Sequence, residues 1–214
     1  MGIDWPLYLG VVLLAYLIPG PDFLLVMRWS VRRRRLGMAA AAGAMTGLTC
    51  HMLLATAGLS LLLARYTAAL TAIRIVGGLY LVVLGCRIVA GTLHRKTPTS
   101  KQAHPDAADD GDDVGLRRAF LQGWLSNMTN PKAILFFAAV LPQFVNPAAA
   151  TPSWLQISAL GFADVVTGVL PWTVVILVGG ALSGALSRPR VQNWWDRCTG
   201  TVLGVFGIGV VARG

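Results

Sequence analysis

Two charged residues, one acidic and one basic, directly follow prolines within long apolar runs of this chain. Asp22 follows Pro19-Gly20-Pro21, and Lys132 follows Asn130-Pro131. Because proline lacks a backbone donor and glycine bends freely, each segment should interrupt a helix. The half-helix after each break then offers unpaired N–H groups and a positive dipole end, which attract a carboxylate. With one side chain of each charge, the two segments carry the groups that an amino acid zwitterion needs.

Another acid, Asp164, lies in the middle of a further apolar stretch. Burial of an ionisable group at membrane depth is costly unless the group is paired or hydrated, so such a residue is a functional candidate. Asp164 and Asp22 are therefore candidates for carrying a coupling proton. A buried ion pair with Arg74 or Lys132 is the alternative for Asp164. His51 is interpreted as a hydrogen-bonded core residue, because no second histidine or acid stands at metal-ligand spacing.

The elements that must hold these residues are membrane-spanning helices, as the composition indicates. The mean hydropathy is +0.64 and 13% of the residues are charged, whereas an average soluble domain has about 25%. The net charge of +9 and the run Arg32–Arg35 raise the question of nucleic-acid binding. The positive-inside rule explains them more simply, as a cytoplasmic anchor beside a membrane helix. No nucleic-acid partner is expected; the surroundings are membrane lipid.

Six apolar stretches approach the length of about 20 residues that crosses a bilayer core. We therefore predict an all-α polytopic membrane protein with six transmembrane helices, of which helices 1 and 4 are broken. The six spans run approximately over residues 5–27, 39–64, 68–92, 119–144, 153–182 and 199–212.

The segment between the third and fourth spans divides the chain into halves. Residues 95–117 are rich in Pro, Ala, Gly and Asp and should form a flexible cytoplasmic loop. Residues 1–94 and 118–214 then hold three spans each, so the second half enters the membrane from the opposite side, as in two inverted-topology repeats. Basic residues follow the first, third and fifth spans, which predicts cytoplasmic loops there and external termini.

In an inverted repeat the two proline breaks would occupy corresponding positions of the two halves. Paired interruptions in corresponding spans of two halves are typical of a transporter's binding site. The alternative is that each proline only kinks a packed helix, since proline is common in membrane helices.

Glycines spaced as in Gly43 and Gly47 allow close helix approach, either within one chain or in a homodimer. Cys50, Cys86 and Cys198 are interpreted as small buried hydrophobes, because they lie far apart without a CxxC motif.

Several of these motifs together resemble the LysE/RhtB family of bacterial amino acid exporters, over essentially the whole chain. They include the first proline motif, glycines of the second span, and the Gly78-Leu79-Tyr80-Leu81 segment with Gly85 in the third. The most specific is Asn130-Pro131-Lys132-Ala133, followed by Phe136-Phe137. The resemblance implies one transporter domain in the cytoplasmic membrane that exports an amino acid, driven by the proton gradient, without a cofactor. Site residues carried over from the family are Pro19, Gly20, Pro21, Asn130, Pro131 and Lys132, with Asp164 resembling an acid of the fifth span.

The substrate expected from the resemblance and the local residues is a neutral amino acid. Phe23, Phe136, Phe137 and Trp172 are near the predicted site, and the second span has no acid that would suit a dibasic substrate. Metal-ion efflux, the first alternative, needs clusters of ligands in the spans that the sequence lacks. A membrane thiol–disulfide carrier, the second, needs paired cysteines in the first and fourth spans. No enzyme motif supports intramembrane catalysis.

Overall fold

The chain folds into helices in the computed structural model, which describes residues 2–17, 20–65, 69–94, 112–186 and 189–211. No strand occurs within these ranges. The helices are α1 (Trp5–Leu17), α2 (Pro21–Arg32), α3 (Arg34–Arg65), α4 (Ala69–His94), α5 (Asp112–Met128), α6 (Pro131–Leu135), a π-helical turn (Phe136–Val140), a 3₁₀ turn (Leu141–Phe144), α7 (Ser153–Leu186) and α8 (Pro189–Val211).

Among the described residues, three helices are long and apolar enough to cross a membrane. Their apolar segments are Arg34–Leu62, Ile75–Thr92 and Ser153–Gly179, and α1 with α2 qualifies as a fourth span that is bent by 57°. These four agree with the first, second, third and fifth predicted spans. The fourth and sixth spans remain predictions, because the described parts of α5, α6 and α8 do not pass the same test.

Both predicted breaks interrupt a helix, and in each case a proline opens the helix that follows. Gly20 is extended (φ −112°, ψ −174°) before Pro21. Asn130 is extended (φ −74°, ψ 111°) before Pro131. The fixed φ of proline suits the first position of a helix, where an N–H would have no partner. Pro19, predicted as part of the first break, lies outside the described residues.

The helix after the second break departs from the regular span expected through Phe144. It winds as an α-helix for only five residues and then widens into the π-helical turn before tightening into the 3₁₀ turn. The amide of Gln143 donates to the carbonyl of Ala139 at 2.9 Å within this irregular stretch. Such π-helical turns are frequent at functional sites. No spacing in the sequence indicated this one.

Two smaller expectations also need correction. Helix α5 begins at Asp112, inside the segment 95–117 that was predicted to be a flexible loop. The rest of that segment, through residue 111, lies outside the described residues. The cysteines are not the buried hydrophobes expected, since Cys86 is exposed and Cys50 and Cys198 are partly exposed. On a helix that passes through lipid, an exposed thiol costs little, because cysteine behaves as a small apolar residue.

Glycines bring α3 and α5 into backbone contact, which fixes the position of the second break. A Cβ at Gly43 would lie 2.0 Å from the carbonyl oxygen of Phe120, and one at Gly123 would lie 2.0 Å from that of Ala40. A side chain at either position would therefore push the helices apart. Gly85 and Gly200 play the same part between α4 and α8, where the added Cβ would meet backbone atoms of the facing helix.

The apolar core has two clusters of buried side chains, and the breaks lie between them. One cluster gathers around Tyr8, Phe136 and Phe144, and the other around Trp29 and Trp172. Tyr16 packs against both. Because α7 contacts α1, α2 and α3, it closes the space between the clusters into a cavity.

Candidate functional site

A cavity lies where the two helix breaks face each other, with α7 opposite. It contains about 630 Å³ of non-atom space, part of which is open to the outside. Most of its wall is apolar, and the polar groups converge from the breaks and from α7. The lining residues are Ala15, Tyr16, Gly20, Asp22, Phe23, Leu48, Asn127, Asn130, Lys132, Ala133, Phe136, Phe137, Asp164, Pro171, Trp172 and Val175.

Asp22, in the first turn of α2, is bound by three side chains from the second break. Its Oδ1 accepts from Ser126 Oγ at 2.6 Å. Its Oδ2 accepts from Asn127 Nδ2 at 2.8 Å and from Asn130 Nδ2 at 2.7 Å. The residue is 5% exposed, and hydrogen bonds to a carboxylate are stronger than neutral ones. These bonds join the first break to the second.

Asn130 links this cluster to the start of α6. Its Oδ1 accepts from the backbone N–H of Lys132 at 3.0 Å, which makes Asn130 the N-cap of the helix. Its Nδ2 is then directed to Asp22. The first break lacks an equivalent cap, because Gly20 at the N-terminus of α2 makes no side-chain hydrogen bond. The first turn of α2 therefore has donors that no cap occupies.

Lys132 reaches across to the end of α1. Its Nζ donates to the carbonyl oxygen of Ala15 at 2.5 Å. In a continuous helix this oxygen would accept from the residue four positions later, which is Pro19 and has no N–H to give. The lysine ammonium thus satisfies a carbonyl at the negative end of a half-helix, where a cation is favoured.

His51, on α3, makes the corresponding contact at the second break. Its Nε2 lies 3.2 Å from the carbonyl oxygen of Asn127. That oxygen stands four residues before Pro131 and so loses its helical donor in the same way; the N–H of Asn130 also reaches it, at 3.0 Å. Because a carbonyl only accepts, Nε2 carries the proton. The interpretation of His51 as a hydrogen-bonded core residue is confirmed, and its ring stacks on Phe137 with centroids 5.9 Å apart.

Asp164 enters the cavity from α7 and is 4% exposed. The hydroxyl of Tyr16 donates to its backbone carbonyl at 3.3 Å. The ring of Tyr16 meets Trp172 edge-on, with centroids 6.5 Å apart. This arrangement places a second acid, a phenol and an indole at the same cavity as the two breaks.

The cavity brings together most of the residues that the sequence predicted for a substrate site. Gly20, Asp22, Phe23, Asn130, Lys132, Phe136 and Asp164 all border it. The prolines act differently: Pro21 and Pro131 open helices and are not among its lining residues, and Pro19 is outside the described residues. Of the two ion-pair partners considered for Asp164, the side chain of Arg74 lies outside the described residues. Lys132 lines the same cavity and interacts with the charge of Asp164, and an ion pair between them stays a prediction.

Sequence reasoning missed Tyr16 and Ser126. Tyr16 sits in an apolar run without any motif around it, and Ser126 resembles the many small polar residues of membrane helices. A helical-spacing signal did exist for Ser126, because it lies four residues before Asn130 and so shares a helix face with it. Within the described ranges no three His, Cys, Asp or Glu side chains are grouped as a metal site would require.

Comparison with known proteins assigns this chain to a family. Residues 13–214 match the family described as LysE type translocator. The threonine efflux protein of Escherichia coli strain K12 is 30% identical over 206 residues, which cover 94% of each chain. The homoserine/homoserine lactone efflux protein of Salmonella typhi is 28% identical over 206 residues, or 95% of this chain and 93% of that protein. No solved structure matches the chain.

Proposed function

The chain belongs to the family of LysE type translocators, and on that premise we propose that it is a secondary transporter exporting an amino acid across the bacterial cytoplasmic membrane. Proteins of this family are transporters and not enzymes. The observation that carries the proposal is the cavity between the breaks, which offers groups for both charges of a zwitterion.

The carboxylate of the substrate would bind on the side of the breaks. Lys132 supplies an ammonium there, and the first turn of α2 supplies backbone donors that no side chain caps. The acceptors for the ammonium of the substrate are Asp22 and Asp164, which border the same cavity. Phe23 and Phe136 close the space around the aliphatic part.

A neutral side chain fits this cavity better than a basic one. Beyond the groups needed by the zwitterion, the wall is formed by residues such as Leu48, Ala133, Trp172 and Val175. A lysine-like side chain would bring a third charge into this apolar part, at a high desolvation cost. The relatives named for threonine and homoserine efflux act on neutral amino acids, which supports the same choice.

The transport cycle we propose uses two inverted repeats, residues 1–94 and 118–214, joined by a cytoplasmic connection that includes the start of α5 at Asp112. Helix packing is consistent with it: α1 and α2 contact α7, while α3 contacts α5 and α4 contacts α8, as exchange of two equivalent halves would require. The exposed run Arg32–Arg35, where α2 ends and α3 begins, would face the cytoplasm, with both termini external.

Export would be coupled to the proton gradient through Asp22 or Asp164, the two acids of the cavity. Vesicles containing the purified protein and labelled threonine, leucine or lysine test the proposal directly. With an inward proton gradient, threonine or leucine should leave at least about tenfold faster than from protein-free vesicles, a ratio that corresponds to roughly 1.4 kcal/mol of barrier. A protonophore should remove the acceleration, and lysine should leave more slowly.

Each part of the proposal has its own contrary result. Equal export of lysine and leucine would contradict the neutral substrate. Export that ignores the gradient would contradict proton coupling. For the acid variants Asp22→Asn and Asp164→Asn, the variant Asp4→Asn is the matched control. Asp4 is exposed at the start of α1 and accepts from the backbone N–H of Leu7, a capping role that asparagine fills equally well.

A further inference from the structure

We propose that Asp22 is a positioning residue that holds the two helix breaks together, and that Asp164 is the acid that accepts the ammonium of the substrate. This inference rests on the proposed function. It assigns separate roles to two acids that both border the cavity and that were both considered as acceptors for the substrate ammonium.

The hydrogen bonds of Asp22 leave it little capacity for a substrate. A carboxylate has two oxygens with about four lone-pair directions, and three side-chain donors already occupy three of these directions at 2.6–2.8 Å. All three donors come from one short segment, 126–130, at the end of α5. An ammonium that replaced any of them would leave a buried amide or hydroxyl without its partner.

The three bonds cross between the halves of the chain, which gives them a mechanical role. Asp22 begins α2 in the first half, whereas its donors precede α6 in the second. Asn130 also caps α6 through Lys132 N–H, so a movement of Asp22 is transmitted to the start of that helix. The breaks therefore move together as long as the carboxylate is bound.

The side-chain amide of Asn127 is held in one orientation by Asp22. Its Nδ2 donates to Asp22, while its Oδ1 is buried without a hydrogen-bond partner among the described residues. A buried acceptor without a partner is costly, yet rotating the amide would turn two acceptors towards each other. The Oδ1 atom of Asn127 therefore stays unpaired, because the carboxylate of Asp22 only accepts hydrogen bonds and must be faced by the Nδ2 atom.

Asp164 differs from Asp22 in each of these respects. It stands on α7, and Tyr16, whose hydroxyl donates to its backbone carbonyl at 3.3 Å, is also the side chain that hydrogen-bonds its carboxyl group, against three side-chain donors at Asp22. It borders the same cavity as Lys132 and the open first turn of α2, and it is close enough to Lys132 for their charges to interact. An amino acid with its carboxylate at Lys132 would direct its ammonium to the Asp164 carboxyl group.

An exchange of the two bonded groups tests the positioning role of Asp22. Asp22→Asn places an amide against two amide donors, so the maximal export rate should fall about tenfold or more, with KM changed less than about twofold. Asn130→Asp alone should be worse, because two carboxylates then face each other. The double variant restores one carboxylate–amide pair, since aspartate also caps a helix and Asn127 can rotate to offer its unused oxygen.

The double variant should therefore recover at least half of the rate lost in Asp22→Asn. By contrast, Asp164→Asn should raise KM about tenfold or more, because it removes a charged acceptor from the substrate. A double variant no better than Asp22→Asn would overturn the proposal. So would an Asp22→Asn variant that raises KM and keeps its maximal rate.

A second measurement keeps this inference separate from the proposed function. The thermal unfolding midpoint in detergent is measured for the wild type, both single variants at positions 22 and 130, and the double variant. The positioning role predicts that the double variant unfolds at a higher temperature than either single one. If the wild type exported nothing, the proposed function would fail while this cycle still decided the role of Asp22; additive midpoints would overturn it.

Discussion

The two helix breaks begin alike and continue differently. In both, an extended residue precedes a proline, and a charged residue follows in the first helical turn. After the first break, α2 continues as a regular helix of 12 residues. After the second, α6 gives way within five residues to the π-helical and 3₁₀ turns. One motif therefore sets the start of each helix, while the packing beyond it decides the continuation.

The charged residues also exchange partners across the breaks. Asp22 takes its donors from the second half of the chain, and Lys132 donates a hydrogen bond to Ala15 in the first half. The carbonyl left without a helical donor at the second break is served by His51, again from the first half. Each break thus takes part of its hydrogen bonding from the other half of the chain.

Loss of the Lys132 ammonium should have the largest effect, because it affects both the substrate and the first break. Lys132→Met keeps the length of the side chain but removes the charge, so export should fall about a hundredfold, as expected for loss of roughly 2.7 kcal/mol of charged interactions. Lys132→Arg keeps the charge and should retain more activity. Efflux from loaded vesicles measures both, and equal rates for the Lys132→Met variant and the wild type would show that the ammonium is dispensable.

A side chain at Gly47 should disturb the second break and leave the first intact. A Cβ there would lie 2.8 Å from Oδ1 of Asn127, so Gly47→Ala should lower the free energy of unfolding by about 1–3 kcal/mol. Gly58→Ala on the same helix is the control, since a Cβ at Gly58 meets nothing within 4 Å. It should be neutral or stabilising by about 0.5–1 kcal/mol. Similar thermal midpoints for the two variants would contradict this packing.

The smallest effects should separate the capped break from the uncapped one. Asn130→Ala removes the cap of α6, which should cost about 0.5–2 kcal/mol of stability, and one bond to Asp22. Gly20→Ala removes no cap, and its Cβ would come no closer than 3.7 Å, to Nδ2 of Asn130. Its unfolding midpoint should stay near that of the wild type. A larger loss for Gly20→Ala would mean that the two ends are capped differently from what the structure describes.

Much of the candidate site followed from local sequence. A proline removes a helical donor, so both interruptions could be predicted from local sequence, although Pro171 stands inside α7 without ending it. Long apolar stretches likewise gave four of the predicted spans, because the bilayer sets their length. The π-helical turn after Leu135 could not be predicted in this way, because no residue type favours it. It depends on packing in the core around Tyr8 and Phe144.

The sequence by itself determined that two apolar helices are broken, which charge stands at each break, and that the polar groups there would be buried. Those results depend on residues adjacent in the chain. Only the tertiary structure decided that Asp22 is bound by Ser126, Asn127 and Asn130, and that Lys132 serves Ala15. These partners are about a hundred residues apart, and the contact of α2 with α5 brings Asp22 to its donors. A charge can be placed from local sequence, but its partner depends on which helices touch.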